Sequence, residues 1–281
     1  MIAALALAAA LACNPPAGWQ AIARAPQRFV VVGEQHGTRE APAAVGELAC
    51  ALSRRGRLLV AVELFSAGDA ALQAAWQAPH DGFAVRLREL KDWPTGAGGG
   101  PASSALFAML VRLHAAKARG APIAVVAFTG PRDGGQAQRL DEPAPGRFEA
   151  YQAENIRRAA AAGRYAHVLV LVGNLHARKL PRVNGPSGYA PMAQRLAPAD
   201  DVLSLDLASS GGTAFNCMLK PGATPAGTVT PDMLDCAAHP YGKLNDVGGH
   251  ARIVSQPGEG DPAYDGLLYV GAISASAPLS P

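Results

Sequence analysis

Phe29-Val30-Val31-Val32-Gly33-Glu34-Gln35-His36 and Val168-Leu169-Val170-Leu171-Val172-Gly173-Asn174-Leu175-His176 decide how this chain is read. Each is an apolar, β-branched-rich run that ends in Gly-x-x-His. Such a run stopped by glycine reads as a buried strand, and glycine lets the backbone turn sharply or pass close to another group. If the two strands lie parallel in one sheet, both histidines emerge at its carboxyl edge, where open α/β folds place their ligands. Two polar tips separated by about half the chain then meet in one cleft, so an active site is the leading expectation.

Working outward, the first strand spans about Arg28–Val32 and is followed by a turn over Gly33–Arg39. An amphipathic helix runs from Ala41 to Arg55, and Gly56 ends it. Leu58–Val62 is the second strand, terminating in Glu63, and Ala70–Gln77 is helical. His80–Pro101 reads as irregular, with Asp92-Trp93-Pro94 and Gly96–Gly100 marking an exposed loop. Ser103 or Ser104 caps a helix through Arg119. Pro122–Phe128 is a third strand and Arg147–Ala162 a helix leading into the second Gly-x-x-His strand. Upstream of the first strand, Gln20–Gln27 is a connector.

Alternating strand and helix indicates parallel βαβ units. Beyond His176 the pattern changes: Met192–Leu196 is a short helix, Val202–Leu207 a strand and Thr213–Leu219 another. Pro221–Pro262 lacks periodicity, and Tyr264–Ile273 is a closing strand. The fold class is therefore α/β, a central and mainly parallel sheet flanked by helices, with an irregular, partly β C-terminal extension. Residues 20–281 form one domain, 28–207 the core and 208–281 the extension.

At 281 residues a sizeable core is available, and 49% hydrophobic with 17% charged residues excludes a generally disordered chain. The net charge is +3, from 25 basic and 22 acidic residues. Arg54-Arg55-Gly56-Arg57 and Arg157-Arg158 are the densest basic spots. They read as solvated helix ends, and without a stacked-aromatic basic stripe nucleic acid is not an expected partner. Met1–Ala12 is wholly apolar, too short for a membrane span, and resembles the apolar region and cleavage site of an export signal, although no basic residue precedes it. The expected location is thus periplasmic or secreted. Cys13 would be the first residue after cleavage and a candidate lipid anchor, the one expected link to a membrane. The competing reading is a buried N-terminal helix or a misplaced start. Cys50 reads as a small core residue. Cys217 and Cys236 flank a Pro/Gly/Thr-rich loop that a bridge would staple in an exported protein.

The chemistry-bearing residues sit at strand ends. Glu34 and His36 are two apart, so in an extended chain both face one cleft. Glu63 ends the next strand; Asn174 and His176 end the later one. Two histidines with one or two carboxylates suit a divalent metal, with Glu34, His36, Glu63 and His176 as ligands. Without metal, a Glu–His pair activates water as general base, and the second histidine serves as acid or oxyanion donor. Gly-x-Ser-x-Gly, phosphate-loop and His-Glu-x-x-His patterns are absent. His114 and His167 read as structural; His80, His239 and His250 lie in loops that nothing selects. Arg39 and Glu40 open the helix after the first motif, where an acid also suits the helix N-terminus.

Gly33-Glu34-Gln35-His36-Gly37-Thr38-Arg39-Glu40, the Val62-Glu63 strand end and Gly173-Asn174-Leu175-His176-Ala177 together resemble the erythromycin esterase / Tiki / ChaN-like superfamily. Tyr151-Gln152-Ala153-Glu154-Asn155-Ile156 resembles the helix that precedes the last motif in several of its families. The likeness covers Arg28 to Lys179. It implies a parallel α/β fold whose pocket is lined by Glu34, His36, Glu63 and His176. The Gly-Glu-x-His spacing is closer to the Tiki and ChaN-like branches, whereas Gly37-Thr38-Arg39-Glu40 is more esterase-like. Members resemble metal-dependent peptidases, macrolide esterases or haem-binding uptake proteins. The first expectation is an exported hydrolase that cleaves an ester or peptide in a small-molecule or peptide substrate, with Asn174 steadying the oxyanion. The alternative is a haem or iron-uptake binding protein without catalysis, with Tyr151, Tyr165, Tyr189 and Tyr241 as axial candidates.

Overall fold

The computed structural model describes residues 12–91, 93, 100–181, 188–223, 229–255 and 261–279. The export-signal stretch and most of the Gly96–Gly100 tract, with Asp92 and Pro94, lie outside them. The helices are α1 (Trp19–Arg24), α2 (Glu40–Ser53), α3 (Asp69–Gln77), α4 (His80–Arg88), α5 (Ser104–Ala118), α6 (Gly134–Arg139), α7 (Gly146–Ala161), α8 (Asn174–Ala177) and α9 (Met192–Leu196). The strands are β1 (Phe29–Glu34), β2 (Leu58–Phe65), β3 (Ile123–Thr129), β4 (His167–Gly173), β5 (Val202–Ala208), β6 (Gly212–Leu219), β7 (Leu234–Tyr241), β8 (Arg252–Ser255) and β9 (Gly266–Tyr269).

Seven strands form a sheet in the order β3-β2-β4-β1-β5-β9-β8, parallel except for the edge strand β8. This is the expected mainly parallel α/β sheet. The two Gly-x-x-His strands are direct neighbours, in register from Phe29 opposite Val168 to Glu34 opposite Gly173. β2 flanks β4 on its other side, so three polar strand ends lie side by side.

Val30 and Val32 pack with Leu48, Leu52 and Leu110 beneath α2 and α5. Val31, Val170 and Val172 pack with Ala153 and Ile156 of α7 on the opposite face. Burial on both faces explains why these strands read as continuous apolar runs rather than alternating ones. Each fully buried Val or Leu stabilises the sheet by about 1.5–3 kcal/mol, so Val170→Asp would unseat the whole edge. The Ser103 hydroxyl caps α5 by accepting from the Leu106 N–H at 3.2 Å, as its sequence suggests.

Several expectations need correction. His80–Pro101 is not wholly irregular, because α4 occupies its start. Phe83 and Leu87, one helical turn apart, bury its inner face, and Arg86 and Arg88 complement its C-terminal dipole. The connector before β1 contains α1. Pro221–Pro262 holds β7 and β8, hidden from a period-2 search because β7 is nowhere fully buried and carries Pro240. β7 pairs antiparallel with β6 as a separate two-stranded hairpin. The closing strand is shorter than Tyr264–Ile273.

Cys217 and Cys236 face each other across the β6–β7 ladder and form a disulfide, the bridge the sequence left open. Cys50 is no free core thiol: it is bonded to Cys13. One sulfur cannot carry both a disulfide and a lipid thioether, so Cys13 in this bonded state is not a lipid anchor.

Candidate active site

β1 ends at Glu34, and His36 lies in the turn that follows. The extended i, i+2 pair of the sequence reading is therefore a bent one. The turn brings His36 Nδ1 to 2.9 Å from Glu34 Oε1. His176 likewise does not stay on an extended strand end. It sits on the single helical turn of α8, and its Nδ1 lies 2.7 Å from Glu149 Oε1. Glu63 stands between the imidazoles, with Oε2 at 3.4 Å from His36 Nε2 and Oε1 at 3.8 Å from His176 Nε2. The result is an alternating row, Glu34–His36–Glu63–His176–Glu149. The carboxylates are buried, at 4%, 8% and 2% exposure, while the imidazoles are 24% and 23% exposed and form the open side of the row.

Backbone groups fix the row. The Gly173 N–H donates to Glu63 Oε2 at 2.8 Å, and the Met192 N–H donates to Glu149 Oε2 at 2.8 Å. Gly173 also supplies the space: a Cβ there would stand 2.9 Å from His36 Nε2 and 3.5 Å from His176 Cδ2. The apolar run of β4 ends in glycine because two imidazoles close over that position. Gly37 is held at φ +76°, and a Cβ on it would meet the Phe215 carbonyl oxygen at 1.9 Å. That turn is braced by the C-terminal extension. The Gly37 carbonyl accepts from the Phe215 N–H at 2.9 Å and the Ser276 N–H at 2.7 Å. Glu40 accepts from the Ser274 N–H and hydroxyl, and Arg39 donates to the Ala275 carbonyl, so both serve this junction rather than the row.

Burial alone would push His36 down, but its hydrogen bond to Glu34 and the charges of Glu63 and Glu34 outweigh it and hold the imidazole up at about 9. His176 is raised in the same way: burial opposes, while the bond to Glu149 and the charge of Glu63 prevail. Burial raises Glu34, against the pull of His36. At neutral pH the row can therefore carry protonated imidazoles between carboxylates.

Four of the five predicted site residues come together. Asn174 does not: its side chain faces Asp206, whose carboxyl burial lifts to about 6. Its carbonyl accepts from Tyr264 Oη at 2.8 Å. Glu149 was missed by the sequence reading, since an acid in the first turn of a helix ordinarily complements the dipole. Its signal was positional, because Glu149, Gln152, Ala153, Ile156 and Ala160 form the buried stripe of α7. The other histidines stay apart. His114 is buried and stacks on Phe83, His80 bonds to His114, and His167 opens β4.

The proposed metal ligands form a hydrogen-bonded row rather than a cage. Each Nδ1 is held by its own carboxylate, an arrangement also common behind metal-bound imidazoles, but among the described residues no group of three His, Cys, Asp or Glu side chains is placed to hold a metal ion. The residues as placed do not fit a metal ion. Of the tyrosines named as haem candidates, Tyr151 donates to the Ala137 carbonyl, Tyr241 to Gln35 Oε1, and Tyr165 lies under Arg57.

No protein-family model matches the chain, and no curated protein is similar to it. Solved structures are. A mutant of the erythromycin esterase EreC in its open conformation superposes with a TM-score of 0.54 at 12% identity, covering 76% of each chain. A structure described as a succinoglycan biosynthesis protein gives 0.52 at 11% identity over 89% of each chain. A Bacillus cereus protein gives 0.52 at 10% identity, over 96% of this chain and 95% of the other. The resemblance expected from the short motifs is thus borne out at the level of the fold: this chain is built on the same α/β framework as an erythromycin esterase.

Proposed function

We propose that the protein is a hydrolase that activates water with its Glu–His row to cleave an ester or peptide bond. One observation carries this reading. Glu63 lies between two imidazole Nε2 atoms, and each imidazole is backed at Nδ1 by its own buried carboxylate. Glu63 takes the proton of the attacking water. His36, protonated and oriented by Glu34, donates from Nε2 to the leaving group or the developing oxyanion. His176, oriented by Glu149, is the second donor. The 3.4 and 3.8 Å separations are long for direct hydrogen bonds and leave room for water or a substrate oxygen between the groups.

Two disulfides among the described residues support an oxidising compartment, hence export to the periplasm or outside the cell. The fold shared with an erythromycin esterase supports a hydrolase reading, and the carboxyl edge is where open α/β sheets place their ligands. The test is hydrolysis of ester and peptide panels by the purified protein and by His36→Ala and His176→Ala, each checked for folding by circular dichroism. Activity in the wild type that falls at least about a hundredfold in both variants is expected. Wild-type rates retained in both folded variants would sink the proposal.

A further inference from the structure

The amino edge of the same sheet carries a cluster of exposed arginines. The helix ends and loops entering four adjacent strands present six exposed arginines: Arg24 at the end of α1 before β1, Arg55 and Arg57 before β2, Arg119 before β3, and Arg158 in the last turn of α7 and Arg164 before β4. Backbone bonds stitch these loops side by side, from the Leu58 N–H to the Pro122 carbonyl, the Ala166 N–H to Arg57, and the Val168 N–H to Arg28. Segments 17–29, 48–58, 113–123 and 155–167 contain no Asp or Glu. Among the described residues none of the six arginines is ion-paired with a carboxylate. Acids flank the cluster: Asp200 and Asp201 precede β5 on one side, and Asp81 opens α4 beside the start of β3 on the other.

Complementing helix dipoles explains a basic residue at the end of each of α2, α5 and α7. It does not explain Arg57 and Arg164, which lie beyond the turns, or the exclusion of acids from all four loops. Aromatic rings are set among the charges: the Arg55 guanidinium lies 6.0 Å from the Trp19 ring centre, and that of Arg57 lies 5.2 Å from Tyr165. Cys13 is tied to Cys50, one helical turn before Arg54, and the Asn14 N–H donates to Glu47 at 2.7 Å.

We infer that this pole docks the protein on a bilayer surface rich in anionic phospholipid, turning the Glu–His edge away from the membrane. Guanidinium groups bind the headgroup phosphates, and Trp19 and Tyr165 sit at the interface level. The surface spans the loops of four strands rather than forming a groove, and the disulfides suit an extracytoplasmic compartment. Both favour lipid over nucleic acid.

Co-sedimentation of the full-length chain with phosphatidylglycerol/phosphatidylcholine vesicles and with pure phosphatidylcholine vesicles tests this at about 0.1 M salt. Binding to the anionic vesicles alone is expected. Arg57→Glu/Arg119→Glu/Arg158→Glu should weaken it about a hundredfold, at roughly fivefold or more per basic residue removed. A control with the same net charge, Arg86→Glu/Lys220→Glu/Lys243→Glu, should bind like the wild type. If the pole variant does not fold, Trp fluorescence still decides: vesicles should blue-shift the wild type, and Trp19→Phe should lose that shift. No binding by the wild type, equal loss in pole and control variants, or tighter binding to duplex DNA than to the anionic vesicles at the same salt overturns the inference.

Discussion

The two edges of one parallel sheet carry opposite chemistry. At the carboxyl edge three buried carboxylates alternate with two partly exposed imidazoles, and backbone N–H groups hold the row in place. At the amino edge exposed arginines stand, among the described residues, without a carboxylate ion-paired to them. The difference lies in order rather than in charge. Site side chains are bonded to one another and fixed by neighbouring backbone, as preorganised chemistry demands, whereas the arginines are exposed to solvent, as a diffuse electrostatic contact allows. A change at the first edge should therefore act steeply and locally, and a single change at the second should act weakly.

The sharpest test of that contrast is Glu63→Gln. It keeps the shape of the row and removes its central base, so kcat/KM for hydrolysis should fall by about 10³-fold with little change in Tm. Retained activity would break the assignment of Glu63. Gly173→Ala comes next. Its methyl must displace His36, which sits where the Cβ would stand 2.9 Å away, and a misplacement of about an ångström costs up to about a hundredfold in rate. A crystal structure of the variant should find both imidazoles moved.

Glu149→Gln removes the charge behind His176. The imidazole pKa, followed by NMR, should drop from its raised position, and activity should fall about tenfold. An unchanged titration would sever Glu149 from the row. A subtler test reads stability against pH. His36 is raised from 6.5 to about 9, so the stability it contributes is fully present below about pH 6.5 and is lost as pH rises through about 9. The denaturant-unfolding difference between wild type and His36→Ala should therefore shrink by up to a few kcal/mol across that window, and a gap that widens would reverse the sign. The smallest effect on chemistry is expected from Cys217→Ser/Cys236→Ser. It opens the hairpin that braces Gly37, lowers stability by about 2 kcal/mol and leaves the row formed. Loss of activity equal to that of Glu63→Gln would make the hairpin part of the site rather than its brace.

Much of the carboxyl edge was legible in the chain. Both Gly-x-x-His strands, Glu63 at the end of β2 and the parallel α/β class follow from apolar runs punctuated by glycine, because strands buried on two faces leave a continuous signal. Glu149 was illegible because its partner lies 27 residues away on another element, and in the sequence it has the appearance of an ordinary helix-start acid. Asn174 lies apart from the row because α8, too short to announce itself in the sequence, turns its side chain to Asp206. The arginine pole was present in the sequence only as scattered helix ends.

The sequence by itself determined the periodicities, the strand ends and the residue types able to move protons, because these depend on local sterics and burial. Only the tertiary structure decided that β4 lies between β1 and β2, that the C-terminal segment braces the first motif, and that Cys13 bonds Cys50. Strand order and long-range pairing arise from packing between elements distant in the chain, and no local pattern encodes the partner.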